Sequence, residues 1–300
     1  MRDLGVKAVH GIVKLFGKLP LGFHYGVANV VAWLAKDVVK YRYDVVMTNL
    51  ARSFPELKYD ELKLIAKDFY RHFADIFAEA VWFSASSYKR LIDSKICVSS
   101  NPQLLNDYFT STPSVTVLFS HCGNWEIIGG ILAYLGSEGC NVIPQEKDVK
   151  VVYKKLHNRF SNEFFKMNRI SPLGKDGWQC EVETDDVLRY SLKRKDLPTV
   201  YVYIADQFPY QTWYNVGDFL HQQTWGMLGS VKVAHKLGHS VLYMRMKALE
   251  RGKYELSFEP ICRDASKVKP EIMMRKYFDL LQEDIKEQPY NWLWTHKRWK

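Results

Sequence analysis

His121 and Glu126 are the residues whose types and spacing most readily suggest chemistry. They stand five positions apart in the segment Ser120-His121-Cys122-Gly123-Asn124-Trp125-Glu126. A histidine side chain, with an ordinary pKa of about 6.5, can accept a proton from a hydroxyl at neutral pH. A neighbouring carboxylate can orient the imidazole and stabilise its protonated form. The pair therefore suggests a general base that activates a hydroxyl.

The spacing alone is weak support for this hypothesis. Nine histidines and 33 acidic residues in 300 positions give about one such pair by chance. In the competing interpretation, Glu126 caps backbone amides at a helix start, beside a structural histidine. The sequence around the pair favours chemistry, because residues 115–119 predict a buried strand, Gly123 permits a tight turn and a helix is expected over 125–135. A strand–turn–helix of this kind can bring the carboxylate back to the imidazole.

A second predicted strand also ends in polar side chains. Residues 199–205 form an apolar, β-rich run that leads into Asp206 and Gln207. Sites in open parallel sheets form at the carboxyl ends of strands, and a packed core does not require such groups there. Asp206 and Gln207 are therefore candidates for the same cleft as His121. The alternative is a polar strand end that only organises its loop.

Other reactive residues give weaker signals. A Cys122–His121 nucleophile has to be considered, but adjacent side chains usually diverge in direction and no second motif supports it. His235 and His239 have a metal-ligand spacing, yet Gly238 is expected to end their helix between them. We therefore expect no metal site. The absence of a GxGxxG pattern and of a P-loop gives no reason to expect a nucleotide cofactor, and we expect none.

Composition limits the classes of protein and partner. Hydrophobic residues make up 47% and charged residues 25% of the 300 positions, which is typical of a folded globular chain. The net charge of +9 favours anionic partners such as a membrane surface. The basic residues are dispersed and no nucleic-acid-binding signature occurs, so no nucleic acid is expected as a partner. Five widely spaced cysteines without a CxxC pair favour a reducing compartment over a disulfide framework.

The order of the predicted elements indicates the fold class. Strands and helices alternate through the second half of the chain, which predicts an α/β fold with a mostly parallel central sheet flanked by helices. The predicted strands are 115–119, 141–143, 199–205, 240–246 and 254–261, the last antiparallel to its predecessor. The predicted helices are 43–53, 59–83, 125–135, 149–167, 183–194, 230–237 and 271–286, with residues 168–181 as a loop.

Residues 1–40 predict an N-terminal helical segment that lies on a membrane, ahead of a single domain over 41–300. On a helical wheel Lys7, Lys14 and Lys18 share one face, and Ile12, Phe16 and other apolar residues share the opposite face. The uncharged run that follows contains Pro20 and two glycines, Gly22 and Gly26, so it is a poor spanning helix. The alternative is a pair of ordinary core helices. No cleavable signal peptide is expected at this end.

The segment SHCGNWE is one of six distinctive blocks along nearly the whole chain. The others are MTNLARSFPE (47–56), FYRHFADIFAE (69–79), LHNRF (156–160), IADQFP (204–209) and WLWTHKRWK (292–300). In sequence and order these blocks resemble the bacterial lipid A late acyltransferases, within the H-x4-D/E glycerolipid acyltransferases, and SHCGNWE looks like the histidine motif of that family. Such a series is far more specific than one His–Glu pair. The poor match over 168–186 and the aromatic stretch after the D-Q block leave acyl-chain selection and the acceptor open.

The resemblance implies an O-acyltransferase that moves a fatty acyl group from a thioester to a hydroxyl of a lipid A-type precursor. The donor would be acyl carrier protein, His121 the general base and Glu126 the carboxylate that holds it. Arg159 would contact a phosphate or other anionic group, and Asp206 and Gln207 would line the cleft.

The remaining implications concern the loop, the tail and the surroundings. Asn124 is placed with the substrate-binding residues, where it could orient the His121 loop. The resemblance places the protein on the cytoplasmic face of the bacterial inner membrane, with an anionic lipid surface and a membrane lipid acceptor as partners. A basic tail at that surface would account for Arg298. The alternatives are an acyltransferase for another lipid, such as an aminolipid or lysophospholipid, and a non-catalytic basic membrane-binding protein.

Overall fold

A computed structural model describes residues 2–137, 139–155, 158–173, 180–208 and 214–299. The strands in this part of the chain are β1 (Cys97–Ser99), β2 (Val115–Phe119), β3 (Val149–Tyr153), β4 (Glu181–Glu183), β5 (Val200–Ile204), β6 (Tyr214–Phe219), β7 (Gln222–Gly226), β8 (Ser240–Glu250) and β9 (Lys253–Cys262). The α-helices are α1 (Arg2–Gly17), α2 (Leu21–Trp33), α3 (Tyr43–Ser53), α4 (Tyr59–Ser84), α5 (Tyr88–Ser94), α6 (Pro102–Ser111), α7 (Ile131–Gly136), α8 (Arg159–Arg169), α9 (Val187–Lys193), α10 (Gly229–Leu237) and α11 (Pro270–Glu287).

Seven strands form the central sheet in the order β1-β9-β8-β2-β5-β3-β4. Every neighbouring pair is parallel except β8 and β9, which form an antiparallel hairpin. β6 and β7 make a separate two-stranded hairpin. The predicted α/β fold with a mostly parallel sheet is confirmed, including the antiparallel last pair.

Both faces of the sheet are covered, because alternate residues of its central strands enter two different hydrophobic clusters. In β2, Val117 and Phe119 belong to one cluster and Leu118 belongs to the other. Parallel strands buried on both faces have continuous apolar sequences, as VTVLF shows. The sheet is therefore a rigid base that fixes the positions of the loops at its carboxyl end.

The predicted strand over residues 115–119 is confirmed, but two predictions near β3 are wrong. Residues 141–143 are not a strand, and only the last part of the range 149–167, which was predicted to be a helix, is helical. Val149–Tyr153 is a strand between β5 and β4, because pairing on both sides satisfies its backbone and overrides the helical pattern. The helix begins only at Arg159, where the side chain of Asn158 caps it by accepting from the Ser161 amide.

The helix predicted over 183–194 also begins late, since Glu181–Glu183 pairs with β3 and α9 starts at Val187. The loop predicted over 168–181 is wrong at both ends, because α8 runs to Arg169 and β4 starts at Glu181. Residues 174–179 of that loop lie outside the described residues, as do Leu156 and His157 of the LHNRF block. The β6–β7 hairpin was not predicted.

The two N-terminal helices pack against α4 and leave apolar side chains exposed. His24 and Ala28 of α2 are buried, and Gly17 lies so close to α4 that an added Cβ would stand 2.4 Å from the Val81 carbonyl oxygen. We call the exposed residues on the other side the N-terminal apolar surface: Val9, Ile12, Leu15, Phe16, Phe23, Val27, Val30, Val31 and Trp33. No helix in the described part of the chain combines the length and apolarity needed to cross a bilayer.

Candidate functional site

Strand register brings His121 and Asp206 together. β2 and β5 are parallel neighbours, and Phe119 at the end of one pairs with Ile204 at the end of the other. His121 and Asp206 each stand two residues beyond this pair, so both emerge at the same edge of the sheet. The Ala205 amide donates to the Phe119 carbonyl at 3.0 Å and extends the ladder up to the two side chains.

The carboxylate of Asp206 holds His121 at two points. Oδ1 lies 2.6 Å from Nδ1 of the imidazole, and Oδ2 accepts from the His121 backbone amide at 3.0 Å. Oδ2 also accepts from the indole N–H of Trp292 at 2.8 Å. Burial would raise the pKa of Asp206, but the charge and hydrogen bonds of His121, together with the Trp292 bond, lower it to about 2. Asp206 is therefore an ionised acceptor at neutral pH.

This arrangement sets the tautomer of the neutral imidazole. An ionised carboxylate can only accept, so Nδ1 must carry the proton that points to Asp206. In the neutral ring Nε2 is then the nitrogen without a proton, and it can act as a base. The amide nitrogen of Gln207 lies 3.2 Å from His121 Nε2 and can donate to its lone pair. An incoming hydroxyl would take the place of this amide, or share the nitrogen with it.

The C-terminal segment closes over both halves of the pair. The backbone of Trp292 forms an antiparallel β-bridge with Cys122, and its indole donates to Asp206. The Gly123 amide donates to the backbone and side-chain oxygens of Asn291, both at 3.1 Å. Nε2 of His296 accepts from the amide of Phe208 at 3.0 Å. The terminal block of the sequence therefore fixes the loops after both β2 and β5. Trp292 was missed by the sequence reasoning, although its block had been singled out.

Glu126 does not make the expected contact with His121 among the described residues. Its Oε1 accepts from the Trp125 indole at 3.1 Å, and its buried Oε2 lies 3.9 Å from Nε of Arg169. The carboxylate that orients the imidazole in this structure is that of Asp206, and a catalytic role for Glu126 stays a prediction. The turn places the Trp125 ring, and not the Glu126 carboxylate, against the imidazole, with the two ring centroids 5.0 Å apart.

Asn124 is fully buried, with both ends of its amide engaged. Oδ1 accepts from the Glu126 amide at 3.0 Å and caps the 3-10 helix Trp125–Gly130. Nδ2 donates to Oε2 of Glu79 in α4 at 2.8 Å. This geometry suits a residue that shapes the His121 loop. Direct contact with a substrate stays a prediction.

Arg159 is exposed at the start of α8, and Arg169 at the other end of that helix approaches Glu126. The anionic contact predicted for Arg159 is therefore untested, whereas sequence reasoning missed Arg169 altogether. Arg169 also lines a mainly apolar cavity that lies directly after the Glu126 turn. Its other lining residues include Ile128, Ile131, Leu132, Val149 and Val151.

Three other interpretations can be compared with the structure. Burial raises the pKa of the Cys122 thiol well above its ordinary value, which disfavours a Cys122 nucleophile. Arg298 is 1% exposed and lies over the Phe278 ring, so its interpretation as a surface tail residue is wrong. Its guanidinium donates to the Trp225 carbonyl, and the tail is drawn inward by aromatic packing. Within the described ranges, no group of three potential ligands is placed to hold a metal ion.

Comparison with known proteins supports the family resemblance. A family model described as bacterial lipid A biosynthesis acyltransferase matches residues 2–300, almost the entire chain. No curated protein matches the sequence.

Proposed function

The chain belongs to the bacterial lipid A biosynthesis acyltransferase family, and from that premise we propose that it transfers a fatty acyl group from acyl carrier protein to a hydroxyl of a lipid A-type precursor. The observation that supports the base is the 2.6 Å bond between His121 Nδ1 and the ionised Asp206, which leaves Nε2 to accept a proton. This differs from the sequence-based hypothesis in the carboxylate that holds the ring.

The steps of the reaction follow from the positions of these protons. Nε2 of His121 takes the proton of the acceptor hydroxyl, and the oxygen attacks the thioester carbonyl carbon. The tetrahedral intermediate collapses as the C–S bond breaks, and Nε2 returns its proton to the departing thiolate. Asp206 stabilises the imidazolium that exists between the two transfers. The ester and the free thiol are the products.

We propose that the acyl chain lies beside the Glu126 turn, at the mainly apolar cavity there. The cavity has a volume of only about 20 Å³, so its walls would have to move apart to admit the chain. Most of its lining residues are aliphatic, and the charged side chains of Glu146, Glu181 and Arg169 also line it. A fatty acyl chain would be removed from water there while its thioester stays near the carboxyl edge of the sheet.

Acyl transfer itself is tested with the full-length protein, labelled acyl carrier protein thioester and a purified lipid A precursor. Mass spectrometry of the lipid should show one added acyl group, and mild base should release it because it is an ester. Transfer to a lysophospholipid or aminolipid, and not to the lipid A precursor, would show that the proposed acceptor is wrong. No transfer from either the carrier-protein or the coenzyme A thioester would overturn the proposed function.

The indole N–H of Trp292 should support catalysis, because it helps to hold Asp206 in the His121–Asp206 pair, which we call the dyad. Trp292→Phe keeps a ring in the aromatic cluster but removes the 2.8 Å hydrogen bond to Asp206 Oδ2. A hydrogen bond to a charged group contributes about 1.5–3 kcal/mol, so we expect kcat to fall by roughly tenfold or more. Steady-state kinetics would measure this change. Trp299→Phe is the control, because that indole donates to the neutral Thr224 hydroxyl, and equal losses in both variants would contradict the prediction.

We also propose that the N-terminal apolar surface docks on the cytoplasmic face of the inner membrane, where anionic lipid attracts the excess of basic charge. Ile12 and Leu15 are 56% and 65% exposed and belong to a group of nine exposed apolar residues on α1 and α2. Insertion in the bilayer would bury them beside Phe16 and bring the site to its lipid acceptor.

The vesicle-binding prediction uses the variant Ile12→Ser/Leu15→Ser. Each lost aliphatic side chain should cost about 1 kcal/mol or more of insertion energy, so binding to anionic vesicles should weaken roughly tenfold or more. Sedimentation with the vesicles measures the bound fraction. Leu249→Ser/Ile272→Ser is the matched control, since these residues are 54% and 58% exposed but lie outside the surface. Equal weakening by the two variants would contradict the proposed surface.

A further inference from the structure

Glu79 connects three distant parts of the chain through one buried carboxylate. Its Oε1 accepts from the Tyr25 hydroxyl of α2 at 2.9 Å. Its Oε2 accepts from the Asn124 amide at 2.8 Å and from the Tyr254 hydroxyl of β9 at 2.9 Å. The side chain is fully buried in α4. A buried carboxylate with this many partners is costly unless the whole set is satisfied, so the cluster has a defined geometry.

Glu79 determines which way the Asn124 amide faces. A carboxylate oxygen can only accept, so it must face the NH2 group of Asn124. The Asn124 oxygen then points to the Glu126 amide, where it caps the 3-10 helix that follows the His121 loop. If the amide were reversed, both hydrogen bonds would be lost together. The path of the chain from His121 to Glu126 therefore depends on the Glu79 carboxylate.

Tyr25 connects the same carboxylate to the seating of α2. The guanidinium of Arg251 lies 4.4 Å from the Tyr25 ring centroid and is held by both oxygens of Asp75. At Gly252, which has a φ of +74°, an added Cβ would stand 2.0 Å from the Tyr25 hydroxyl oxygen. The β8–β9 turn and α4 thus form a fitted slot for Tyr25. Helix α2, which carries Tyr25, also contributes Phe23, Val27 and Val30 to the N-terminal apolar surface.

We propose that Glu79 is a positioning residue of the acyl transfer reaction, and that the series Tyr25–Glu79–Asn124 makes the placement of the His121 loop depend on the seating of α2. This inference rests on the proposed function. Burial raises the pKa of Glu79 to about 7, although the hydrogen bonds from Asn124, Tyr254 and Tyr25 oppose this rise. Loss of the Tyr25 hydroxyl would therefore favour protonation of Glu79, which weakens it as the acceptor for Asn124.

The test measures kcat and KM for the acyl donor in four variants of the full-length protein. In Glu79→Gln the amide oxygen can still face Asn124 and Tyr254, with the new NH2 group toward the Tyr25 hydroxyl, but the acceptor for Asn124 is now neutral instead of charged. Hydrogen bonds to a charged acceptor are roughly twice as strong as neutral ones, so we expect kcat to fall by about fivefold with KM changed less than about threefold. Glu79→Gln/Asn124→Asp reverses the polarity of the pair, since the new carboxylate can accept from the new amide and still cap the Glu126 amide. It should regain most of the lost kcat. Tyr25→Phe should lower kcat less than Glu79→Gln does.

The control is Tyr88→Phe, which removes the hydroxyl of a tyrosine on α5 that is 37% exposed and should leave kcat unchanged. A merely structural role for Glu79 would lower the melting temperature while kcat per folded molecule stayed normal, and that result would overturn the inference. A double variant no faster than Glu79→Gln would also overturn it. Should Glu79→Gln fail to fold, Tyr25→Phe decides alone, with wild-type kcat as the contradicting result. A wild-type protein without transfer activity would instead overturn the proposed function.

Discussion

Replacing His121 by alanine is expected to abolish nearly all acyl transfer. A positioned general base contributes about 10²–10⁴-fold to a rate, and the group hydrogen-bonded to Nε2 is the Gln207 amide, which cannot replace the imidazole as a base. We expect kcat to fall by about 10³-fold while KM for the donor changes little, because the imidazole acts on the hydroxyl in the transition state. Single-turnover transfer with labelled donor would measure the residual rate.

His235→Ala is a matched control for the loss of an imidazole. Its Nδ1 lies against the carbonyls of Ala265 and Val268, away from the paired strand ends. It should retain wild-type kcat. Retention of more than about a tenth of the activity by His121→Ala would be incompatible with a general base at this position.

The second large effect separates the two carboxylates. In Asp206→Asn, an amide group that faces Nδ1 can donate to it, which favours the tautomer with its proton on Nε2. That tautomer cannot accept the hydroxyl proton, and loss of this kind lowered kcat about 10⁴-fold in the serine protease triad. We expect Asp206→Asn to lose up to about 10³-fold, no more than His121→Ala, and Glu126→Gln to retain at least about tenfold more activity than Asp206→Asn, because Glu126 contacts Trp125 and Arg169 rather than His121.

Both variants preserve side-chain size, so circular dichroism and thermal unfolding can establish that each is folded. The order of the two rates is the measurement that matters. If Glu126→Gln were the slower enzyme, the hypothesis drawn from the five-residue spacing would be favoured and the geometry of the resting site would not be that of the reaction.

Much of the fold could be predicted because its central strands have distinctive sequences. Val115–Phe119 is apolar throughout, as expected for a parallel strand buried on both faces. Val149–Tyr153 was misinterpreted because its valines suit a buried helix face as well as a strand, and only its pairing with β5 decides between them. The short edge strands β1 and β4, of three residues each, carry too little pattern to be recognised from sequence.

His121 and Asp206 could be recognised as site residues from the sequence, but the contact between them could not. The strand ends that carry His121 and Asp206 could both be identified, yet their contact depends on β2 and β5 being adjacent in register. That adjacency is a property of strand order, which no local pattern contains. Glu126 was favoured because it is near His121 in sequence, whereas Asp206 is 85 positions away. The contact between Trp292 and Asp206 depends in turn on how the C-terminal segment packs.

A double-mutant cycle on His121 and Asp206 tests the central claim most directly. Rates of ester formation would be measured in single turnover for wild type, His121→Ala, Asp206→Asn and the double variant. If the carboxylate acts only through the imidazole, the losses are not additive, and the double variant should be within about threefold of His121→Ala. A double variant slower by the product of the two single losses would show that the residues act independently and would contradict the proposed dyad.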